Sequence, residues 1–162
     1  MTTINRAAIA VVLSAATLAV GASAALAGGS AKFHSVGSSV DNDGALVVEW
    51  DQRGLGNDNI DYTLTADATA LYACINGGGK HPQASNKESF EGQVSGGGSF
   101  EPKNGRIAAS LTAGPLQAPQ FQCPNGQRRV LASVTYTDIV LTDTTNGVAA
   151  DVPDASRVFF DV

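Results

Sequence analysis

The sequence has few charged residues, only two cysteines and few aromatic side chains. Charged side chains make up 15% of its 162 residues, against about 25% in ordinary soluble proteins. The formal net charge is −5, which argues against a general nucleic-acid binder, since such a protein needs a basic surface. The 43% of hydrophobic residues excludes an intrinsically disordered chain.

Motifs with a known catalytic mechanism are also missing. The chain has no Gly-x-Ser-x-Gly turn of the α/β-hydrolase type, and its two histidines, His34 and His81, are too few for a His-rich zinc site. The sequence therefore predicts no catalytic residue, no enzyme activity and no cofactor. A hydrolase of unrecognised type is kept as an alternative, because a Ser-His-Asp triad is defined by geometry and not by residue order.

The first residues have the pattern of an export signal. Arg6 supplies a positive charge, and Ala7–Val20 is apolar except for Ser14 and Thr17. This stretch is shorter than the ~20 residues that a transmembrane helix needs, and Ala25-Leu26-Ala27 provides a small-x-small cleavage site. We expect residues 1–27 to be a cleaved secretory signal and residues 28–162 to form one domain. The mature protein is expected to be secreted, with no membrane attachment.

Export also determines the expected state of the two cysteines. Thiols oxidise outside the cytoplasm, so Cys74 and Cys123 are predicted to form one disulfide. A metal site would need further Cys or His ligands at suitable spacing, and a redox-active pair would have a Cys-x-x-Cys arrangement.

Hydrophobic residues after the signal alternate with a period of two, which is typical of half-buried strands. The clearest example is Tyr62 to Cys74, where the even-numbered residues are apolar and include several alanines. These small side chains suggest a close approach of other residues on that face. Shorter alternating runs begin near Leu46, Phe90, Ile107 and Val130, a weaker one covers 33–40, and a last strand is expected over 158–162. The alternation changes phase at Thr137-Asp138, which predicts a bulge.

Glycine pairs and runs between these segments mark the expected turns. They are Asp43-Gly44, Asn76-Gly77, Gly96-Gly97-Gly98, Asn104-Gly105, Asn125-Gly126 and Asn146-Gly147. Many short strands separated by such turns predict an all-β fold. The predicted architecture is an antiparallel β-sandwich of Greek-key, immunoglobulin-like type with one disulfide.

Three segments carry a resemblance to other proteins. They are 73–80 (Ala-Cys-Ile-Asn-Gly-Gly-Gly-Lys), 123–126 (Cys-Pro-Asn-Gly) and 141–147 (Leu-Thr-Asp-Thr-Thr-Asn-Gly). In these segments the chain resembles small exported proteins of actinobacteria. The resemblance implies secretion and assigns no catalytic or binding residue.

The predicted disulfide would bring two basic segments together, because a bridge holds its Cα atoms ~5–6 Å apart. Lys80, His81 and Lys87 follow one cysteine, and Arg128 and Arg129 follow the other. The glycine run before Lys80 offers exposed backbone N–H groups to an anion. We therefore expect an anion- or glycan-binding surface here. The alternative is that these residues are solvated loop charges.

Acidic residues are concentrated in the N-terminal half of the mature chain. Asp41 and Asp43 begin a segment that resembles the start of a Ca²⁺ loop, and Asp58 could add a further oxygen ligand. An EF-hand loop would place a glutamate at its twelfth position, where this chain has Gln52. An irregular Ca²⁺ site is one interpretation, and a turn rich in Asp and Asn is the other.

The preferred functional hypothesis is a secreted, non-catalytic protein that binds a cell-surface polysaccharide or another secreted protein through the disulfide-linked basic segments. Nucleic acid is not an expected partner. A secreted enzyme inhibitor or small-ligand carrier is the main alternative, because a disulfide-braced loop loses little entropy when it docks.

Overall fold

Antiparallel strands form nearly all of the regular structure. A computed structural model describes residues 30–76 and 86–162. The strands in chain order are β1 (Lys32–Val40), β2 (Leu46–Arg53), β3 (Ile60–Asn76), β4 (Lys87–Phe100), β5 (Arg106–Ala113), β6 (Gln127–Asp143), β7 (Val148–Val152) and β8 (Ala155–Val158). Neither range contains a helix that could span a membrane. The predicted signal, 1–27, lies outside the described residues.

The strands form two sheets that pack face to face. The three-stranded sheet has the order β1-β2-β5, and the five-stranded sheet has the order β4-β3-β6-β7, with β8 pairing with β6 beside β7. The chain crosses between the sheets so that β5 returns to β2 and β6 returns to β3. This is the Greek-key arrangement of an immunoglobulin-like sandwich, with β4 beside β3. The predicted fold class is therefore confirmed.

The core lies between the two sheets, on the faces that the alternation marks as apolar. Tyr62, Leu64 and Tyr136 are almost completely buried, and Trp50 packs against Tyr62 with ring centroids 4.8 Å apart. The alanines at 66, 68 and 70 are buried in the same core. The inward direction predicted for this face of β3 is therefore confirmed.

Several local predictions can be compared with the backbone. Asn104 and Gly105 both have positive φ and form a two-residue hairpin between Lys103 and Arg106. The bulge expected near residues 137–138 is present, since Asp138 has φ 49° and the β3–β6 register shifts beside it. The turn predicted at 96–98 is wrong. These glycines lie inside β4 and pair with Tyr62, Thr63 and Leu64 of β3.

The last predicted strand also ends earlier than the alternation suggested. β8 ends at Val158, and the backbone N–H groups of Phe159 and Phe160 both donate to the carbonyl oxygen of Ala132 at 2.7 and 3.1 Å. The chain then crosses the outer face of the five-stranded sheet. Phe160 and Val162 pack there against a small apolar cluster formed by Ala73, Ile75, Val130 and Ala132.

The central strands of the five-stranded sheet are longer than those of the three-stranded sheet, so the shorter sheet does not cover the whole inner face of the longer one. β3 and β6 each have 17 residues, whereas β2 and β5 each have 8. The connection between β5 and β6, residues 114–126, covers the end of β3 that the shorter sheet does not reach. Within this connection Ala118 is buried, and Phe121 packs against Phe90 of β4 with ring centroids 6.1 Å apart.

Candidate functional site

The predicted disulfide is present and joins the end of β3 to the covering connection. The Cα atoms of Cys74 and Cys123 lie 5.6 Å apart, as expected for a bridge. Nearby, the hydroxyl of Tyr72 donates to the carbonyl oxygen of Leu116 at 2.7 Å. We call this part of the molecule the disulfide end. The covalent bond and this hydrogen bond both hold the connection against the inner face of β3.

Arg129 adds a third attachment at the same place. It lies directly opposite Cys74 in the β3–β6 register, so both side chains share the inner face. Its guanidinium donates to the carbonyl oxygens of Ala118 and Phe121 and lies 5.7 Å from the centroid of the Tyr72 ring. Burial raises the pKa of Tyr72, although the positive charge of Arg129 opposes that rise. Arg129 therefore stabilises the covering connection.

Arg128 points to the other side of the sheet. It lies opposite Ile75 in the register, and successive side chains of a strand face opposite ways. The two neighbouring arginines therefore do not converge, in contrast to what the sequence suggested. The reason is that β6 begins at Gln127, so both residues belong to a strand and not to a loop.

The Arg128 side chain lines a surface groove of about 260 Å³. We call it the Arg128 groove. Its other lining residues come from the β1–β2 turn, from β6 and from the segment after β8: Asn42, Asp43, Val130, Leu131, Phe159 and Phe160. Within residues 30–76 and 86–162, the Arg128 guanidinium forms no hydrogen bond or ion pair. It is an exposed donor group beside aromatic and polar side chains.

Arg157 of β8 positions two sides of this groove. Its guanidinium donates to the carbonyl oxygen of Val40 at 3.0 Å and to Oδ1 of Asn42 at 2.8 Å. It also lies 5.0 Å from the ring centroid of Phe159. The bond to Arg157 holds the Asn42 side chain, which lines the groove.

Lys87 lies on the same outer face as Arg128, on the far side of β3. It pairs with Ala73 in the register, and its Nζ donates to the main-chain oxygen of Val162 at 2.9 Å. Two of the five predicted anion-binding residues, Lys87 and Arg128, therefore share one face. Lys80 and His81 lie outside the described residues.

The three acidic residues proposed for Ca²⁺ do not meet. Oδ1 of Asp41 accepts hydrogen bonds from the backbone N–H groups of Asp43 and Ala45, both at 2.9 Å, which is the usual role of Asp in a turn. Asp58 follows β2 and so lies at its opposite end. No group of three His, Cys, Asp or Glu side chains in the described part of the chain is arranged to hold a metal ion.

A buried polar network connects the two sheets, and the sequence reasoning missed it. Gln52 and Asp143 are both fully buried, and Nε2 of Gln52 donates to Oδ2 of Asp143 at 2.8 Å. The hydroxyl of Tyr62 donates to Oε1 of Gln52, and Asn146 donates its backbone and side-chain N–H groups to Asp143, both at 2.8 Å. Burial, reinforced by the charge of Asp143, raises the pKa of Tyr62 to about 12.

This network has no opening through which a substrate could enter, because its central residues have no solvent-accessible surface. Its role is to satisfy buried polar groups where β2 crosses β3 and β6. An indication was present in the sequence, since Gln52 falls in the apolar phase of its strand. Its partner could not be deduced, because Asp143 is 91 residues away.

The aromatic wall of the Arg128 groove was not found from the sequence either. Phe160 fits the strand alternation of Val158 and Val162, and only the contacts of Phe159 and Phe160 with Ala132 show that the chain leaves that path. Comparisons with other proteins add no assignment: no protein-family model, no curated protein and no solved structure matches this chain significantly.

Proposed function

We propose that this chain is an exported, non-catalytic protein that binds an acidic glycan of an extracellular or cell-surface polymer in the Arg128 groove. The signal-like residues 1–27 and the disulfide support export. The observation that carries the binding proposal is the exposed Arg128 guanidinium, which has no partner in the described residues and lies beside Asn42 and Phe160.

The groove offers the contacts that a sugar carboxylate and its ring require. An arginine can bind a carboxylate through two parallel N–H bonds, and the phenyl groups offer apolar surface to the C–H groups of a sugar ring. Asp43 can accept hydrogen bonds from sugar hydroxyls, although its charge opposes a nearby carboxylate. Ligand sites commonly combine apolar walls with a few polar groups that set orientation.

Calorimetric titration with short oligogalacturonates tests this proposal. Arg128→Gln is expected to weaken binding about tenfold or more, because a charge-assisted hydrogen bond contributes ~1.5–3 kcal/mol. Asp43→Asn is expected to strengthen it, since a repelling charge is removed. Lys103→Gln, which makes the same charge change at the other end of the molecule, is the matched control. An equal loss in Lys103→Gln, or equal binding of a neutral oligosaccharide, would overturn the proposal.

Inhibition of a secreted enzyme is a second candidate, favoured by the way the 114–126 connection is held. The disulfide, Arg129 and Tyr72 fix its backbone, while Pro119, Gln120 and Gln122 are exposed. A loop held in this way loses little entropy on docking. A panel of secreted proteases and glycosidases tests it, and loss of inhibition in a Pro119→Gly, Gln120→Gly variant would support it.

A further inference from the structure

Three cations lie side by side across the outer face of the three-stranded sheet. Lys32 of β1 is directly opposite Arg53 of β2, and Arg53 is directly opposite Arg106 of β5. Directly paired residues share a face of the sheet. All three are exposed, with 52% and 53% of the Arg53 and Arg106 side chains accessible. We call these residues the cationic row.

Such a row is electrostatically unfavourable unless something compensates for it. The Cβ atoms of directly opposite residues are about 4.5–5.5 Å apart, and like charges at that separation destabilise a sheet. Three strands therefore place three positive charges within roughly 10 Å. The packing of the core does not require these residues, because their side chains point away from the core.

Asp51 supplies only part of the compensation. It is two residues before Arg53 on the same face of β2, and its carboxylate accepts hydrogen bonds from Arg53 at 3.1 and 3.3 Å and from Arg106 at 2.7 and 3.0 Å. The hydrogen bond from Arg53, followed by that from Arg106, lowers the pKa of Asp51. One carboxylate leaves a net excess of two positive charges in the row.

Open surface flanks the row on both sides. A groove of about 580 Å³ adjoins Arg106 and includes Glu101, Lys103 and Asn104 of the β4–β5 hairpin. A second, shallow depression is lined by Lys32, His34 and Arg53. Arg106 lines the first depression, and Lys32 and Arg53 line the second. Asp51 is the one carboxylate, in the described part of the chain, that forms an ion pair with the row.

The side chains on the rest of this sheet face project little from the backbone. Its exposed or half-exposed uncharged positions beside the row carry side chains no larger than valine: Ser35, Gly37, Ser39, Val47, Ala108, Ser110 and Thr112. Glu49 is the charged residue on it. An extended chain could therefore lie on the face without displacing large side chains.

We propose that the cationic row is a binding site for a sulfated polysaccharide. Guanidinium groups bind the oxygens of tetrahedral anions in a fixed fork, and a polysaccharide spaces its charges by about one sugar unit, comparable to the distance between neighbouring strands. The bound sulfates neutralise the positive charges of the row that Asp51 leaves uncompensated. The site does not depend on the Arg128 groove, which lies at the other end of β1, roughly 26 Å away along the strand.

Lys32→Gln, in the row, and Lys103→Gln, in the groove beside Arg106, test the site without breaking an observed hydrogen bond, since neither ammonium group is paired in the described residues. Heparin oligosaccharides are the probe. The double variant is expected to bind them about tenfold more weakly at low salt, with a shallower dependence of affinity on salt. Lys87→Gln is the control at the disulfide end, matched in charge change to each single lysine variant, and is expected to bind as the unchanged protein does. An equal loss in that control would overturn the proposal.

Asp51→Asn separates binding from a purely structural role. If the row binds sulfates, removing the internal carboxylate frees two guanidinium groups and raises heparin affinity several-fold, and heparin raises the Tm of this variant more than that of the unchanged protein. If the row is only structural, the variant loses stability and gains no affinity, which would overturn the proposal. In Arg128→Gln, which removes the guanidinium proposed to hold a sugar carboxylate in the other groove, equal affinity for an unsulfated polyuronate or for polyphosphate of equal charge would also overturn it. The two lysine variants keep the proposal testable if Asp51→Asn fails to fold.

Discussion

Neighbouring residues at the disulfide end have different tasks although they are chemically alike. Arg129 faces inward, where its guanidinium contacts two carbonyl oxygens and the Tyr72 ring. Arg128 faces outward and lines a groove. Because the two side chains leave the same strand one residue apart, the pleat alone separates a stabilising arginine from one that is available to a ligand.

Arg129→Gln is therefore expected to lower the free energy of unfolding by about 1–3 kcal/mol, because two carbonyl oxygens lose a charged donor. Arg128→Gln is the matched control and should change stability by less than about 0.5 kcal/mol, as is usual for surface substitutions. Urea unfolding of the oxidised protein measures both. Equal stability of the two variants would contradict the role assigned to Arg129.

Individual elements meet closely where the edges of the two sheets come together. β4 and β5 are joined by a short connection with a tight turn and lie in different sheets. The backbone of β4 passes close to that of β5 at Gly96. A Cβ atom added to Gly96 would lie 2.2 Å from the carbonyl oxygen of Thr112, which is far shorter than a van der Waals contact. The glycine inside this strand is thus needed for the close approach of the sheets, and it does not form a turn.

Gly96→Ala is expected to destabilise the protein by about 1–3 kcal/mol, since overpacking of a close contact forces the backbone to move. Gly37→Ala is a suitable control. Gly37 also lies in a strand, and a Cβ atom added there meets nothing within 4 Å. Thermal and urea unfolding of both variants provide the measurement. A loss in Gly37→Ala as large as that in Gly96→Ala would show that the Thr112 contact does not determine the effect.

The molecule as a whole has two separate candidate binding surfaces and a single core between them. The Arg128 groove and the cationic row occupy opposite ends, so the overall charge of −5 conceals two local regions with exposed cations. Between them, the core encloses all three tyrosines of the chain. Burial raises the pKa of each, to about 12 for Tyr62 and for Tyr136, above the ordinary value of 10.0.

These tyrosines make the whole fold sensitive to alkali. Their pKa values are raised on folding, so their contribution to stability is fully present below pH 10 and is lost as the pH rises towards 12. We expect tyrosinate absorbance and loss of the strand signal in circular dichroism to appear together in that range. Protein unfolded in guanidinium chloride is the control and should titrate near the ordinary tyrosine value. Tyrosinate formation near pH 10 in a protein that remains folded would contradict this expectation.

Local patterns in the sequence were sufficient for β1, β2, β3, β5 and β6 and for most of the turns, whereas β7 was not predicted and β8 was placed too late in the chain. Alternation along β3 identifies its buried face because a strand has a period of two, and Asn104-Gly105 forms its hairpin because both residues accept positive φ. With two cysteines in the chain, only one intramolecular pairing can be drawn. The strands and turns depend on short-range geometry, which is present in any window of a few residues, whereas the disulfide followed from the cysteine count.

The arrangement of side chains on the surfaces was decided by the tertiary structure. The cationic row exists because Lys32, Arg53 and Arg106, far apart in the chain, come into register across three strands. The Arg128 groove exists because the chain leaves its strand after Val158 and returns to Ala132. Strand register is set by the packing of the buried faces and not by the exposed side chains, so the order of residues alone carries no local signal for which surface charges will meet.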